Sequence, residues 1–116
     1  MKKDIAIFLE HILESIRLIE EYIKGKSKSD FLKSKQLQDS AIRRIEIIGE
    51  AIKNIPNDFK EKYTQIPWRE FTGMRDILIH QYFGIDLNLT WQVINRDLPR
   101  LKKQIIDIKK ESNSIS

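Results

Sequence analysis

The sequence has no cysteine, only two histidines, and no uninterrupted apolar run longer than a few residues. Without cysteine there is no disulfide framework, no thiolate nucleophile and no thiolate metal site, and the cytoplasm becomes the default compartment. The two histidines, His11 and His80, stand far apart without a ligand set around either, so no metal site and no cofactor are expected. No stretch is long and apolar enough to span a bilayer. The Met1-Lys2-Lys3 start meets Asp4 and Glu10 in place of a continuous apolar segment, so neither a membrane span nor a secretion signal is expected. Charge of one sign is also modest. The 21 basic and 17 acidic side chains leave +4 and a pI near 9.3, which favours contact with phosphates but falls well short of a dedicated nucleic-acid clamp.

What is present is a balance of 41% hydrophobic and 33% charged residues over 116 positions, the make-up of one folded domain, 1–116, with one core. Apolar residues recur at helical spacing, and neither a period-two strand pattern nor an internal repeat is found. A first helix is expected from Asp4 to Lys24 on the stripe Ile5, Phe8, Leu9, Ile12, Ile16, Ile19 and Ile23, closed by Gly25 and the Lys/Ser run to Asp30. A second is expected from about Phe31 to Asn54, before Pro56, with Asp39, Arg43, Glu46 and Glu50 on its polar face. Gly49 inside it suggests a close approach by another helix. Asn57 to Gln65 reads as a connector with a helical turn around Phe59 and Tyr63. A third helix runs from Trp68, after Pro67, to about Tyr82 and stops at Gly84. Asp86 caps a fourth, with the stripe Leu87, Trp91, Ile94, Leu98, Leu101, Ile105 and Ile108. Pro99 should break or bend it, with Asp97 as a new N-cap, and residues 111–116 form a frayed tail. The fold class is an all-α bundle of four to five helices.

The third helix is apolar on more than one side. Phe71, Met74 and Leu78 form a core stripe, while Ile79 shares a second face with Arg75 and Tyr82. A small bundle cannot bury both faces, and a homodimer meeting across a two-fold axis on the Arg75, Ile79, Tyr82 face covers the second.

This helix spells Arg75-Asp76-Ile77-Leu78-Ile79-His80-Gln81-Tyr82, that is Arg, four residues, His, one residue, Tyr. With Pro67 to Met74 before it and Phe83 to Asp86 after it, the segment resembles the HEPN superfamily, specifically the HepT-type toxins paired with minimal nucleotidyltransferase antitoxins of the MntA type. Ala41 to Ala51 is similar to that family's second helix and Trp91 to Leu101 to its fourth, so the resemblance covers most of the chain. Arg-x4-His alone recurs by chance; the flanking segments, Tyr82 and the helix layout make it specific.

The resemblance implies a type VII toxin: a homodimeric, metal-independent endoribonuclease with Arg75 and His80 of both protomers lining one cleft. It also implies that the partner nucleotidyltransferase silences the toxin by adenylylating Tyr82. The chemistry is sound on general grounds. RNA carries its own 2′-hydroxyl nucleophile, histidine titrates near neutrality, and a guanidinium grips phosphate oxygens. Asp76, one helical turn before His80, is placed to orient the imidazole or raise its pKa, although an acid here, where an amide is also familiar in the family, adds negative charge beside the phosphate. Arg75 and His80 stand about 140° apart on an ideal helix, so convergence requires Arg75's reach, a helix ending near His80, or the second protomer.

Plainer readings stand beside these. His80 suits the negative end of a helix dipole, Arg75 an interface ion pair, and Tyr82 ordinary packing. Arg43 is a possible RNA contact or a member of a solvated ion-pair face with Glu46 and Glu50, and Arg44 fits the solvated face better. His11 reads as structural or exposed, and Trp68 and Trp91 as core. The functional alternatives are a non-catalytic HEPN module that binds a nucleotidyltransferase or nucleotide, and a helical dimer that sequesters nucleic acid without cutting it.

Overall fold

The computed structural model of the chain describes residues 2–79 and 86–115, with side chains for 2–74 and 86–111. Among the described residues every regular element is helical, as the apolar spacing predicts. α1 (Lys3–Ile23) buries Ile5, Leu9, Ile12, Leu13, Ile16 and Ile19 to 6% exposure or less. Each such side chain contributes about 1.5–3 kcal/mol of apolar burial. Gly25, at φ 73°, turns the chain out of α1 in the left-handed region where a Cβ is costly.

The second helix expected from the sequence is two helices, α2 (Lys28–Lys33) and α3 (Lys35–Asn54), and it starts earlier than Phe31. Serine chemistry is the reason. Ser27 Oγ accepts from Asp30 N at 3.1 Å while Asp30 Oδ2 accepts from Ser27 N at 2.9 Å, a reciprocal capping box that starts α2 inside the Lys/Ser run. Ser34 leaves the helical region, and its Oγ accepts from Leu37 N at 3.1 Å, capping α3. Gln38 Nε2 then donates to the Phe31 carbonyl at 2.9 Å, which also accepts from Ser34 N at 3.4 Å. Phe31 is fully buried, its ring 5.3 Å from that of Trp91.

α3 packs against α1 on one side and α5 (Trp68–Ile79) on the other. Gly49 is buried where α3 meets α5, yet a Cβ there would lie 3.5 Å from the carbonyl oxygen of Phe71, an ordinary contact. The helices therefore approach at Gly49 as expected, but without requiring glycine. Between them α4 (Asn57–Lys62) is the anticipated helical turn, with the Phe59 and Tyr63 rings 5.0 Å apart.

Asp86 caps α6 (Leu87–Gln92) as expected, its carboxylate accepting from Leu89 N at 3.0 Å. The buried Thr90 hydroxyl donates to the Asp86 carbonyl at 2.8 Å. Pro99 does not break the helix, and Asp97 is not a cap. The chain instead widens into a π turn, Val93–Asp97, in which Leu98 N donates to the Val93 carbonyl, and continues as α7 (Leu98–Ile115). A missing N–H and a ring against the carbonyl four residues back are what proline imposes on an α-helix, and the wider turn relieves both. Asn95 Nδ2 donates to the Trp91 carbonyl at 2.9 Å, while Asp97 accepts from Arg96 Nε at 3.3 Å. The backbone of α7 is helical through Ile115, into the segment expected to be a frayed tail.

α7 lies antiparallel on α1, with Lys102 bound to Glu20 at 2.9 Å and Lys109 paired with Glu10. Leu98, Leu101, Ile105 and Ile108 complete the core. Among the described residues, no helix is long and apolar enough to cross a membrane.

Candidate functional site

The motif helix is anchored at its start. Trp68 is buried, and its indole Nε1 donates to the carbonyls of Lys60 at 3.2 Å and Tyr63 at 3.1 Å, tying α5 to the end of α4. Phe71 is buried one turn later, Met74 packs half-buried against the core, and Thr72 Oγ1 donates to the Arg69 carbonyl at 3.1 Å. Burial of the α4 end pushes the Tyr63 phenol up, with a smaller contribution from Glu111, and pulls the Lys60 ammonium down.

Arg75 and Asp76 follow on the same helix, so the backbone carries both out of an anchored turn. Their side chains lie outside the described residues, as do all of His80, Gln81 and Tyr82. The stop expected at Gly84 lies outside them too. The described chain resumes at Asp86, whose cap fixes the start of α6. The described residues that flank the motif segment are thus the Trp68 and Phe71 anchor before it and the Asp86 cap after it.

Arg43 lies on the exposed side of α3, with its guanidinium two-thirds exposed and 3.7 Å from Glu46. That distance is a loose ion pair of the solvated-face kind, and it leaves the guanidinium free to turn to a phosphate. Arg43 and Glu46 line a groove of about 510 Å³ together with Phe8, His11, Ile47 and Glu50. His11 is exposed, one of the two alternatives read from sequence, and it faces this groove from α1. No spacing rule links residue 11 to residue 43, because only the packing of α1 on α3 brings them together. Among the described residues, no three His, Asp or Glu side chains converge as a metal site.

A family model described as Ribonuclease HepT-like matches residues 12–108. A Methanocaldococcus jannaschii protein whose name joins a gamma-glutamylcyclotransferase to an inferred RNase is 63% identical over 111 residues, covering 96% of this chain and 50% of that protein. The chain therefore spans about half the length of that relative. A Thermococcus cleftensis protein named as a probable ribonuclease HepT is 48% identical over 95% of this chain and 100% of its own length. An inferred RNase of Caldanaerobacter subterraneus subsp. tengcongensis is 46% identical over 87% of this chain and 90% of its own. No solved structure matches the chain.

Proposed function

We propose, since the chain belongs to the HepT-like ribonuclease family, that it is an endoribonuclease that cuts RNA without a metal, at a site built by Arg75 and His80 of two protomers. The observation that carries this is the Arg75-x4-His80-x-Tyr82 spacing in the sequence, which begins on α5, a helix that Trp68 and Phe71 anchor in the core. In the proposed reaction one imidazole removes the proton of the RNA 2′-hydroxyl and the 2′-oxygen attacks the adjacent phosphorus. The bond from phosphorus to the 5′-oxygen breaks, and the second protomer's imidazolium protonates that oxygen. The products are a 2′,3′-cyclic phosphate and a 5′-hydroxyl. Arg75 holds the non-bridging oxygens as negative charge builds on them, and Asp76 orients His80. The dimer forms through the Arg75, Ile79, Tyr82 face, so a monomeric mass at micromolar concentration rejects the two-protomer site.

The chain acts as the toxin of a type VII pair. A minimal nucleotidyltransferase partner transfers adenylate from ATP to the Tyr82 oxygen with release of pyrophosphate, and the added negative charge keeps RNA out of the cleft. Incubation with that enzyme and ATP adds adenylate mass to the wild type and not to Tyr82→Phe; equal labelling of both removes Tyr82 from this role.

The deciding experiment is cleavage of a mixed RNA pool in excess EDTA by wild type and His80→Ala, with analysis of the product ends. Cleavage by the wild type alone, leaving cyclic phosphate, supports the reading. No cleavage by protein shown by mass to be free of adenylate turns the assignment to a non-catalytic module that binds its partner.

A further inference from the structure

The chain's positive charge is not spread evenly. Residues 24–35 hold five lysines, Lys24, Lys26, Lys28, Lys33 and Lys35, against the single acid Asp30. This stretch alone carries +4, equal to the net charge of all 116 residues. All five lysines are exposed, and none forms an ion pair among the described residues, in contrast to Lys102 and Lys109 on α7.

The folding of this stretch brings the charge to a groove. The Gly25 turn, the Ser27 capping box and the Ser34 break fold it back on itself, and a groove of about 520 Å³ opens between the end of α1, α2 and the start of α3. Lys26 and Lys33 line it with the half-buried aromatic Tyr22 and with the polar side chains Gln36 and Ser40. Asp30 also lines the groove, but its carboxylate is held by the Ser27 N–H, and that bond, with the nearby lysines, keeps its pKa below the usual range. We infer that this groove is a subsite for single-stranded RNA, with Lys26 and Lys33 on backbone phosphates and Tyr22 stacking against a base. An electropositive track with an aromatic face is the arrangement that takes single strands with little regard to sequence.

Its place in the fold joins it to the motif segment. α2 packs against α6 through Phe31 and Trp91, and Lys28 lines a second groove with Asp86 and Gln92. Ile79, the last described residue of α5, and Asp86 are separated by six residues, at most about 25 Å of chain. A strand held in the basic groove would continue past Lys28 toward Asp86, where the described chain resumes after the motif segment.

The inference rests on the ribonuclease reading, and its test separates the two. Binding of an oligouridylate of about twelve nucleotides is followed by anisotropy in EDTA across a salt series, using the full chain with His80→Ala as the uncut parent. Lys26→Gln with Lys33→Gln should lower the slope of log affinity against log salt by about 1.4, a loss of roughly twenty-fold at 0.1 M salt. Tyr22→Ala should weaken binding roughly five-fold or more while Tyr22→Phe retains it. The lysine variants replace exposed side chains, so a folding defect cannot stand in for the result. An unchanged slope and affinity in the lysine pair, with wild type still cutting RNA, overturns the subsite alone. No binding by the parent and no cutting by wild type overturns the ribonuclease reading with it. Displacement of the RNA by polyglutamate of equal charge as readily as by polyuridylate, with no effect of Tyr22→Ala, overturns the subsite in favour of a surface for an acidic protein.

Discussion

α1 and α5 are both amphipathic helices, and they spend their apolar residues differently. α1 puts six large side chains into the core along its length and presents Glu14, Arg17, Glu20 and Glu21 to solvent. α5 buries Trp68 and Phe71 at its start, leaves Met74 half-buried, and then carries Arg75 and Asp76 onward. One helix buries large side chains along its whole length; the other is anchored in the core at its start, and under the proposed function its far end begins the reactive motif. Among the described residues α1, α3 and α7 supply most of the core against which the start of α5 packs.

The sharpest way to break that comparison is at the motif itself. His80→Ala should lower RNA cleavage by about 10²–10⁴-fold while the thermal midpoint stays at the wild-type value. A midpoint lowered as far as that of a core variant would make His80 a structural residue. On the other side, Ile12→Ala should cost about 2–5 kcal/mol in denaturant unfolding, because Ile12 is fully buried, while cleavage by the folded fraction is retained. Ser34→Ala should cost about 1 kcal/mol by removing the α3 cap, and a neutral result would show that packing alone sets the break between α2 and α3. The smallest effect has the opposite sign. Gly49→Ala should gain about 0.5–1 kcal/mol, since the added methyl meets the Phe71 carbonyl at ordinary distance; destabilisation would mean α3 and α5 approach more closely than 3.5 Å implies.

The helices that bury a continuous stripe were legible from spacing, because burial of α1, α3 and α7 follows the three-and-four rule. The Asp86 cap and the α4 turn were legible for local reasons also. The break at Ser34 was not, since no proline or glycine interrupts the chain there and only a hydroxyl accepting one N–H marks the boundary. Nor was the π turn. Pro99 announces a disturbance, but whether a helix breaks or widens depends on tertiary packing, and here Val93, Ile94 and Leu98 are held in the core on both sides. At the candidate site the motif was readable as spacing along one helix. The meeting of His11 with Arg43 and the gathering of Lys26, Lys33 and Tyr22 around one groove depend on contacts between helices, which spacing does not encode.

The π turn also marks where the chain can change its length. Loss of one residue from a regular stretch of α3 would swing every later side chain by about 100° and turn the buried stripe toward water. Loss of one residue from Val93–Asp97 would return the wide turn to the α pattern and leave the helices on either side aimed as they are. Pro99 alone opposes that shortening, because its ring would then press on a carbonyl one α-turn back, at a cost of about 3 kcal/mol. A one-residue deletion here should therefore be tolerated in a chain that has also exchanged Pro99.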